Sequence, residues 1–140
     1  MKVLVDTCIW SLALRGKRRK LDAAGSLAKA ELAELVREGR VQMIGLIRQE
    51  LLSGISEERQ FIGLRDRLRA FLDEPLETSD YEEAARISNQ CRSRGVAGSP
   101  VDFLICAVAV SRGWQIFSSD VDFRHYAKHF PVPLYEPRAR

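Results

Sequence analysis

Acidic residues follow or open several short apolar segments of this chain, where a carboxylate is costly to desolvate unless a cation or a hydrogen-bond donor pairs with it. The acids in these positions are Asp6, Glu50, Asp102, Asp120 and Asp122. If the fold gathers them, their like charges raise one another's pKa values or require cations. Ligand sets made only of oxygen suit Mg²⁺ or Mn²⁺ rather than zinc. Such an ion can orient water, lower its pKa and stabilise the charge that develops on a phosphodiester.

Short apolar strands alternate with helices along the chain, and this alternation would position the acids. The predicted strands are 3–5, 41–47, 75–78, 114–117 and 132–135, and the predicted helices are 11–15, 21–38, 48–55, 57–72, 79–94, 99–113 and 122–130. This order indicates an α/β fold of three layers, α/β/α, around a central, mostly parallel sheet. Ligands bind at the carboxyl ends of the strands in such sheets. We therefore expect all five acids at that edge, with Asp102 in the first turn of a helix whose N-terminus faces it.

Two helices carry clear signals at their ends. Ser79 followed by Glu82 is the capping-box pattern, which predicts a helix that starts at Ser79. Ser99 and Pro100 predict the start of the most apolar helix, and Gly113 predicts its end. Because this helix is apolar on nearly all sides, we expect it to lie deep in the protein.

The composition indicates one ordinary globular domain over residues 1–140. Hydrophobic residues make up 46% and charged residues 29% of the chain, and no apolar run has the length of a membrane span or the form of a signal peptide. Cys8, Cys91 and Cys106 are odd in number and widely spaced, which excludes a disulfide framework and C-x-x-C zinc sites. We expect free thiols and a cytoplasmic protein without a membrane partner.

Positive charge is concentrated in one short segment. The net charge is +3, and the basic residues that crowd this segment include Lys17, Arg18, Arg19 and Lys20. Such a cluster suits contacts with phosphates. A solvated surface is the alternative explanation.

Each acid also has an ordinary structural use. Asp6 could cap the helix that follows it, and Asp102 could be the capping-box partner of Ser99. Glu50 would lie in the first turn of a helix, where acids are favourable, and the two acids after 114–117 would lie in a turn. The placement of all of them at one edge of the sheet makes a metal site as good an explanation as four separate structural roles.

Four motifs, in this order, carry a resemblance that covers essentially the whole chain. They are VDTCIW at 5–10, RQELLSG at 48–54, SPVDFLICAVAVSRG at 99–113 and IFSSDVDF at 116–123. Each is too short to be specific alone, but the ordered set resembles the PIN domain, and in particular the VapC toxin group of bacterial toxin–antitoxin systems. The resemblance implies a PIN-like version of the α/β/α fold.

The resemblance also implies roles for individual residues. The metal-binding and catalytic acids would be Asp6, Glu50, Asp102 and Asp120. Asp122 belongs to a D-F pair that is similar to one in the family, which leaves open whether it shares or exchanges the fourth role. Thr7 and Ser118 are candidate hydroxyl supports for the carboxylates or for metal-bound water, although simple turn hydrogen bonding would explain them equally well.

The activity that this resemblance implies is Mg²⁺- or Mn²⁺-dependent endonucleolytic cleavage of RNA, often in exposed loops of tRNA or rRNA, by water rather than by a side-chain nucleophile. The implied partners are the RNA, a second copy in a homodimer, and a VapB-type antitoxin whose arginine competes with the metal. The alternative is a catalytically silent PIN-fold module that binds RNA or protein. The presence of an acid at all four of the family's acidic positions argues against this alternative. Trp10 could stack on an unpaired base, but core packing is favoured.

Overall fold

Three short parallel strands form the centre of the protein. The computed structural model describes residues 1–14 and 20–138, and its sheet has the order β2-β1-β3. The strands are β1 (Val3–Val5), β2 (Val41–Gln42) and β3 (Gln115–Phe117). Val3 pairs with Val41 on one side and with Gln115 on the other, so all three carboxyl ends lie at one edge. The predicted α/β fold with a parallel sheet flanked by helices is confirmed.

Helices make up most of the described residues. They are α1 (Thr7–Leu14), α2 (Ala23–Arg37), α3 (Gly45–Leu52), α4 (Glu58–Leu68), α5 (Thr78–Ser93), α6 (Pro100–Arg112) and α7 (Asp122–Tyr126). α1 packs against α2 and α3, while α6 packs against α5 and β3. None of the helices in the described ranges is long and apolar enough to cross a membrane.

The core lies around β1 and α6. All three residues of β1 are fully buried, and residues 103–109 of α6 are buried in an unbroken run. Ser99 caps α6 by accepting a hydrogen bond from the backbone N–H of Val101 at 3.1 Å, Pro100 is the first helical residue, and Gly113 ends the helix with a φ of 70°. Start, end and burial of this helix are therefore as predicted.

The predicted strand 41–47 is wrong beyond Gln42. Ile44 is still extended, but Gly45 begins α3, three residues before the predicted helix start. Ile44, Ile47 and Leu51 are buried at the spacing of a helix face. A short apolar run fits a buried strand or a buried helix equally well, so periodicity could not separate them here.

The predicted strands 75–78 and 132–135 are also absent from the described residues. Only isolated parallel bridges form near them, between Met43 and Asp73 and between Ile116 and Leu134. Near 75–78 the pairing with Met43 cannot continue, because Gly45 begins α3 and Thr78 already begins α5. Pro133 lies inside the second predicted strand, and a proline has no N–H to donate to the ladder with β3.

Several helix boundaries differ from the predicted ones. α5 begins one residue before Ser79, and its capping box joins Glu77 and Asp80, whose carboxylate accepts a hydrogen bond from the Glu77 N–H at 2.8 Å. α1 begins four residues before its predicted start, while α4 and α7 each end four residues early. Trp10, 4% exposed in α1, packs edge-on against Phe71 and so lies in the core.

Candidate metal centre

Asp6 lies at the carboxyl end of the central strand. Its N–H donates to the Phe117 carbonyl at 2.9 Å, which continues the pairing of β1 with β3. Its side chain is 8% exposed and accepts hydrogen bonds from the Thr7 N–H at 2.8 Å and the Ser118 hydroxyl at 2.8 Å, with the Cys8 thiol at 3.5 Å. These donors are neutral, so they orient the carboxylate without cancelling its charge.

Ser118 joins Asp6 to the acids that follow β3. The Ser118 oxygen that donates to Asp6 also accepts the Asp120 N–H at 3.1 Å. Asp120 in turn accepts the Asp122 N–H at 2.9 Å. The sulfur of Cys8 lies 3.4 Å from the Ser118 hydroxyl and accepts the Ser119 N–H at 3.4 Å. The loop after β3 is thus fixed to the end of β1 by one hydroxyl and one thiol.

Asp102, Asp120 and Asp122 form a group of three acids. One carboxylate oxygen from each lies within 4.8 Å of the other two. Ligand oxygens on opposite sides of an octahedral Mg²⁺ are separated by roughly 4.2 Å, twice the usual bond length. A small adjustment of exposed side chains would therefore let the three oxygens share an ion. The group contains both Asp120 and Asp122, the two residues between which the sequence left the fourth role open.

Glu50 lies beside Asp6 rather than in the group of three. Glu50 was predicted to lie in the first turn of its helix. Because α3 starts at Gly45, Glu50 lies in the last turn instead, and this prediction is wrong. The Thr7 hydroxyl donates to Glu50 at 3.5 Å. Burial raises the pKa of Glu50 above its ordinary value, the charge of Asp6 raises it further, and the bond from Thr7 opposes both.

Asp102 is the acid whose ionisation is most perturbed. Burial raises its pKa to about 6, and the charges of Asp6, Asp120 and Asp122 act in the same direction. The opposing influence is a hydrogen bond from the Tyr126 hydroxyl to Oδ2 of Asp102, at 2.7 Å. The carboxylate bonds to Tyr126, and a return bond from the Ser99 N–H is absent from the described hydrogen bonds. The capping-box explanation of Asp102 is therefore not supported.

Two residues of this site, Cys8 and Tyr126, were not predicted from the sequence. Cys8 stands two positions after Asp6 in the motif VDTCIW. Tyr126 stands four positions after Asp122, which is one helical turn. These spacings place both residues near predicted ligands, and a thiol and a phenol can each donate a hydrogen bond to a carboxylate.

Cations do not neutralise these acids within the described part of the chain. No lysine or arginine there forms an ion pair with any of the five, and the nearest basic atom is Nδ1 of His125, 4.0 Å from the exposed carboxylate of Asp122. Lys20 is exposed. The other three basic residues proposed for RNA binding, Lys17, Arg18 and Arg19, lie outside the described residues. The potential metal ligands that converge here are carboxylate oxygens, and hydroxyl groups hold them in place. A ligand set of this kind suits Mg²⁺ or Mn²⁺.

Comparisons with known proteins agree with this architecture. The crystal structure of FitAcB from Neisseria gonorrhoeae is 20% identical, with 96% of this chain and 97% of that chain covered and a TM-score of 0.74. The crystal structure of VapBC2 from Rickettsia felis bound to a DNA fragment from their promoter is 14% identical, with 96% and 98% covered and a TM-score of 0.73. A search of curated proteins found no match. The PIN domain family matches residues 3–129, and the chain therefore belongs to the PIN domain family.

Proposed function

We propose that this chain is a Mg²⁺- or Mn²⁺-dependent endoribonuclease, the VapC-type toxin of a toxin–antitoxin pair, which cleaves exposed loops of tRNA or rRNA. PIN domains are generally nucleases and typically use divalent metals. The observation that carries the proposal is the gathering of Asp102, Asp120 and Asp122 within 4.8 Å of one another. Like charges this close favour a divalent cation between them.

The acids have distinct parts in this proposal. Asp102, Asp120 and Asp122 would hold an ion, with the fourth role of the family shared between the last two, and Asp6 would be a ligand beside them. A bound ion would orient water, lower its pKa and stabilise the charge that develops on the phosphodiester. Glu50 is held beside Asp6 by the Thr7 hydroxyl, from where it would complete the ligands or orient the attacking water.

Hydroxyl donors preorganise these carboxylates. Ser118 fixes one oxygen of Asp6 at 2.8 Å and receives the Asp120 N–H at 3.1 Å, so a single side chain sets the relative position of two acids. Ligands that are oriented before the ion arrives bind it more tightly. Loss of a group that orients a ligand in this way typically lowers metal affinity or activity about 10- to 100-fold.

The proposed partners follow from the charge of the site. RNA would contact the basic residues Lys17, Arg18, Arg19 and Lys20 through its phosphates, which position the substrate without reading sequence. A VapB-type antitoxin would insert an arginine, since a guanidinium matches crowded carboxylates in geometry and charge. The similarity in fold to VapBC2, which was solved bound to a DNA fragment from their promoter, supports such a partner.

A homodimer of single-domain subunits, each spanning 1–140, completes the proposal. The α4 region offers a candidate contact surface, because Ile62 is 37% exposed and Leu72 is 87% exposed. Contiguous apolar surface favours contact with another protein, and in the proposed homodimer these side chains would be covered by the second copy.

The test is Mg²⁺-dependent cleavage of purified tRNA and rRNA by the wild-type chain and by Asp6→Asn and Asp102→Asn variants. We expect each variant to lose cleavage while its circular dichroism spectrum stays that of the wild type, because asparagine keeps the shape but removes the charge that binds the ion. Glu83→Gln, which removes an exposed carboxylate of α5 away from the site and from α4, is the control and should cleave normally.

Full cleavage by Asp6→Asn or Asp102→Asn would contradict the mechanism. Binding of RNA by the wild-type chain without cleavage, at any Mg²⁺ or Mn²⁺ concentration, would favour the catalytically silent binding module instead.

A further inference from the structure

Tyr126 is a buried tyrosine whose hydroxyl reaches the metal centre. It is 1% exposed and ends α7, the helix that Asp122 begins. Its ring packs on Phe103, with ring centroids 5.0 Å apart, and edge-on against Phe123 at 5.6 Å. These aromatic contacts restrict the ring, so the direction of the hydroxyl is set by packing.

The hydroxyl is aimed at one oxygen of Asp102. It donates to Oδ2 at 2.7 Å, the usual length for a bond from a hydroxyl to a carboxylate. Gly98 makes this approach possible, since a Cβ at that position would lie 2.6 Å from the Tyr126 hydroxyl and 2.5 Å from the Phe103 ring. Any larger residue at position 98 would therefore push the Tyr126 hydroxyl away from Asp102.

We propose that Tyr126 is a positioning residue of the metal centre: its hydroxyl occupies Oδ2 of Asp102, fixes the carboxylate plane, and leaves the other oxygen for the ion that Asp120 and Asp122 share. This inference rests on the proposed metal-dependent function. Because α7 carries Asp122 at its start and Tyr126 at its end, one short helix contributes a ligand and also orients a second ligand on α6.

A second buried tyrosine shows how the same bond serves a purely structural purpose. Tyr135 is 8% exposed, and its hydroxyl donates to Glu31 at 3.1 Å. Arg138 pairs with that carboxylate, with Nη2 and Oε1 2.9 Å apart, so its charge is already balanced. Asp102 instead faces Asp6, Asp120 and Asp122, and an ion would supply the balancing charge.

The two tyrosines provide a matched pair of variants, because Tyr126→Phe and Tyr135→Phe each remove one buried hydroxyl oxygen that donates to a carboxylate. The measurement is the Mn²⁺ dissociation constant of the full chain, from the electron paramagnetic resonance signal of free Mn²⁺, with circular dichroism to check the fold. We expect Tyr126→Phe to weaken Mn²⁺ binding about 10- to 100-fold, the usual effect of losing an outer partner of a ligand. Tyr135→Phe should leave the dissociation constant unchanged, although it lowers thermal stability.

A folded Tyr126→Phe variant whose Mn²⁺ affinity falls by less than about tenfold would overturn the inference, since outer-partner effects begin near that size. Equal weakening in both variants would also overturn it, because the effect would then follow from general destabilisation. If the wild-type chain itself binds no Mn²⁺, the metal centre of the proposed function fails, and the inference fails with it. If the wild type binds Mn²⁺ and Tyr126→Phe binds it equally well, the inference about Tyr126 fails while the proposed metal-dependent function stands.

A second measurement does not depend on the folding of Tyr126→Phe. The chain has three tyrosines, so 3-fluorotyrosine labelling gives three ¹⁹F resonances, of which Tyr81→Phe and Tyr135→Phe assign two and leave Tyr126 as the third. We expect the Tyr126 resonance to shift as Mg²⁺ is added and to saturate with the midpoint of metal binding, while the Tyr135 resonance stays in place. A Tyr126 resonance that ignores saturating Mg²⁺ would overturn the inference.

Discussion

Arg112 lies on α6, the helix that also carries Asp102, and forms a largely buried ion pair with Asp80. Removal of the Arg112 side chain should measure how much this pair stabilises the fold. Asp80 is 4% exposed and Arg112 is 15% exposed at the level of their side chains. Arg112 pairs with both oxygens of Asp80 through Nη1 and Nη2, the second at 2.9 Å, and Nη2 also donates to the Pro75 carbonyl at 2.9 Å. Because α5 carries Asp80 and α6 carries Arg112, the pair ties these two helices together.

Arg112→Ala would leave the Asp80 carboxylate buried without its partner. Breaking a buried pair in this way costs about 3 kcal/mol at the lower end of the observed range, which applies here because Arg112 keeps some contact with water. For 140 residues the entropy of unfolding is about 0.29 kcal/mol/K, so Tm should fall by about 10 °C. Thermal unfolding followed by circular dichroism at pH 7 measures this.

Two controls make the result specific. Arg86→Ala removes an arginine whose partner Glu83 is 53% exposed, and such surface pairs contribute little, so we expect Tm to change by less than about 2 °C. Replacing both partners, by Asp80→Asn with Arg112→Met, removes the unpaired charge and should recover much of the loss. A fall in Tm of less than about 3 °C for Arg112→Ala would refute the reasoning, as would a double variant no more stable than the single one.

The effect should also depend on pH in one direction. The hydrogen bonds from Arg112 hold the pKa of Asp80 below its ordinary value, with burial opposing them and the Glu77 N–H adding to them. An unfolded aspartate titrates near pH 4, roughly. The pair therefore contributes its full stability above that pH and loses it as the pH falls through the lower, folded-state pKa. In Arg112→Ala the buried, unpaired Asp80 takes up a proton at higher pH than in the wild type. The difference in stability between the two proteins should therefore begin to shrink above pH 4, roughly, and continue to shrink as the wild-type pair is lost in more acidic solution.

The remaining predictions concern the site itself. Ser118→Ala removes the 2.8 Å bond to Asp6 and should weaken Mn²⁺ binding by about tenfold, measured by titration. The control is Ser93→Ala, whose hydroxyl donates to the Gln90 carbonyl, and it should bind Mn²⁺ normally. Equal affinities of the two variants would count against Ser118 as a support. Alanine at all four basic residues, Lys17, Arg18, Arg19 and Lys20, should weaken RNA binding and reduce the slope of log affinity against log salt by at most about 2.8–3.6 units, at roughly 0.7–0.9 per lost phosphate contact. Fluorescence anisotropy measures this slope, and an unaltered slope would exclude this basic segment as an RNA contact.

Local signals predicted the elements that position the acids. β1 and α6 formed as expected because a fully buried apolar run and an N-cap with a following proline act within a few residues. The segment 41–47 was misassigned because its apolar residues satisfy either a strand or a helix until the rest of the core exists. Glu50 was consequently placed in the wrong turn of α3, although the chain still carries it to the edge of the sheet beside Asp6.

The hydrogen bonds that orient the acids were beyond the reach of pattern reasoning. Asp102 and Tyr126 are 24 residues apart, and Asp6 and Ser118 are 112 residues apart. Ser118 was nonetheless a candidate, because it directly follows a strand that was predicted to end at the same edge of the sheet as β1. Tyr126 had no such rule, since its contact with Asp102 depends on how α7 packs against the ring of Phe103 and on the space beside Gly98.

The buried acids of the described residues separate structure from function. Asp6, Glu31 and Asp80 are the three charged residues buried there. Arg138 pairs with Glu31 and Arg112 pairs with Asp80, so each has a permanent positive partner from a distant part of the chain. Asp6 has an amide, a hydroxyl and a thiol instead. Stability alone would favour an arginine paired with Asp6 as well, since an uncompensated buried charge is costly. A cation that arrives from solution would explain the exception, and a cation at this place is what the proposed cleavage of a phosphodiester would use.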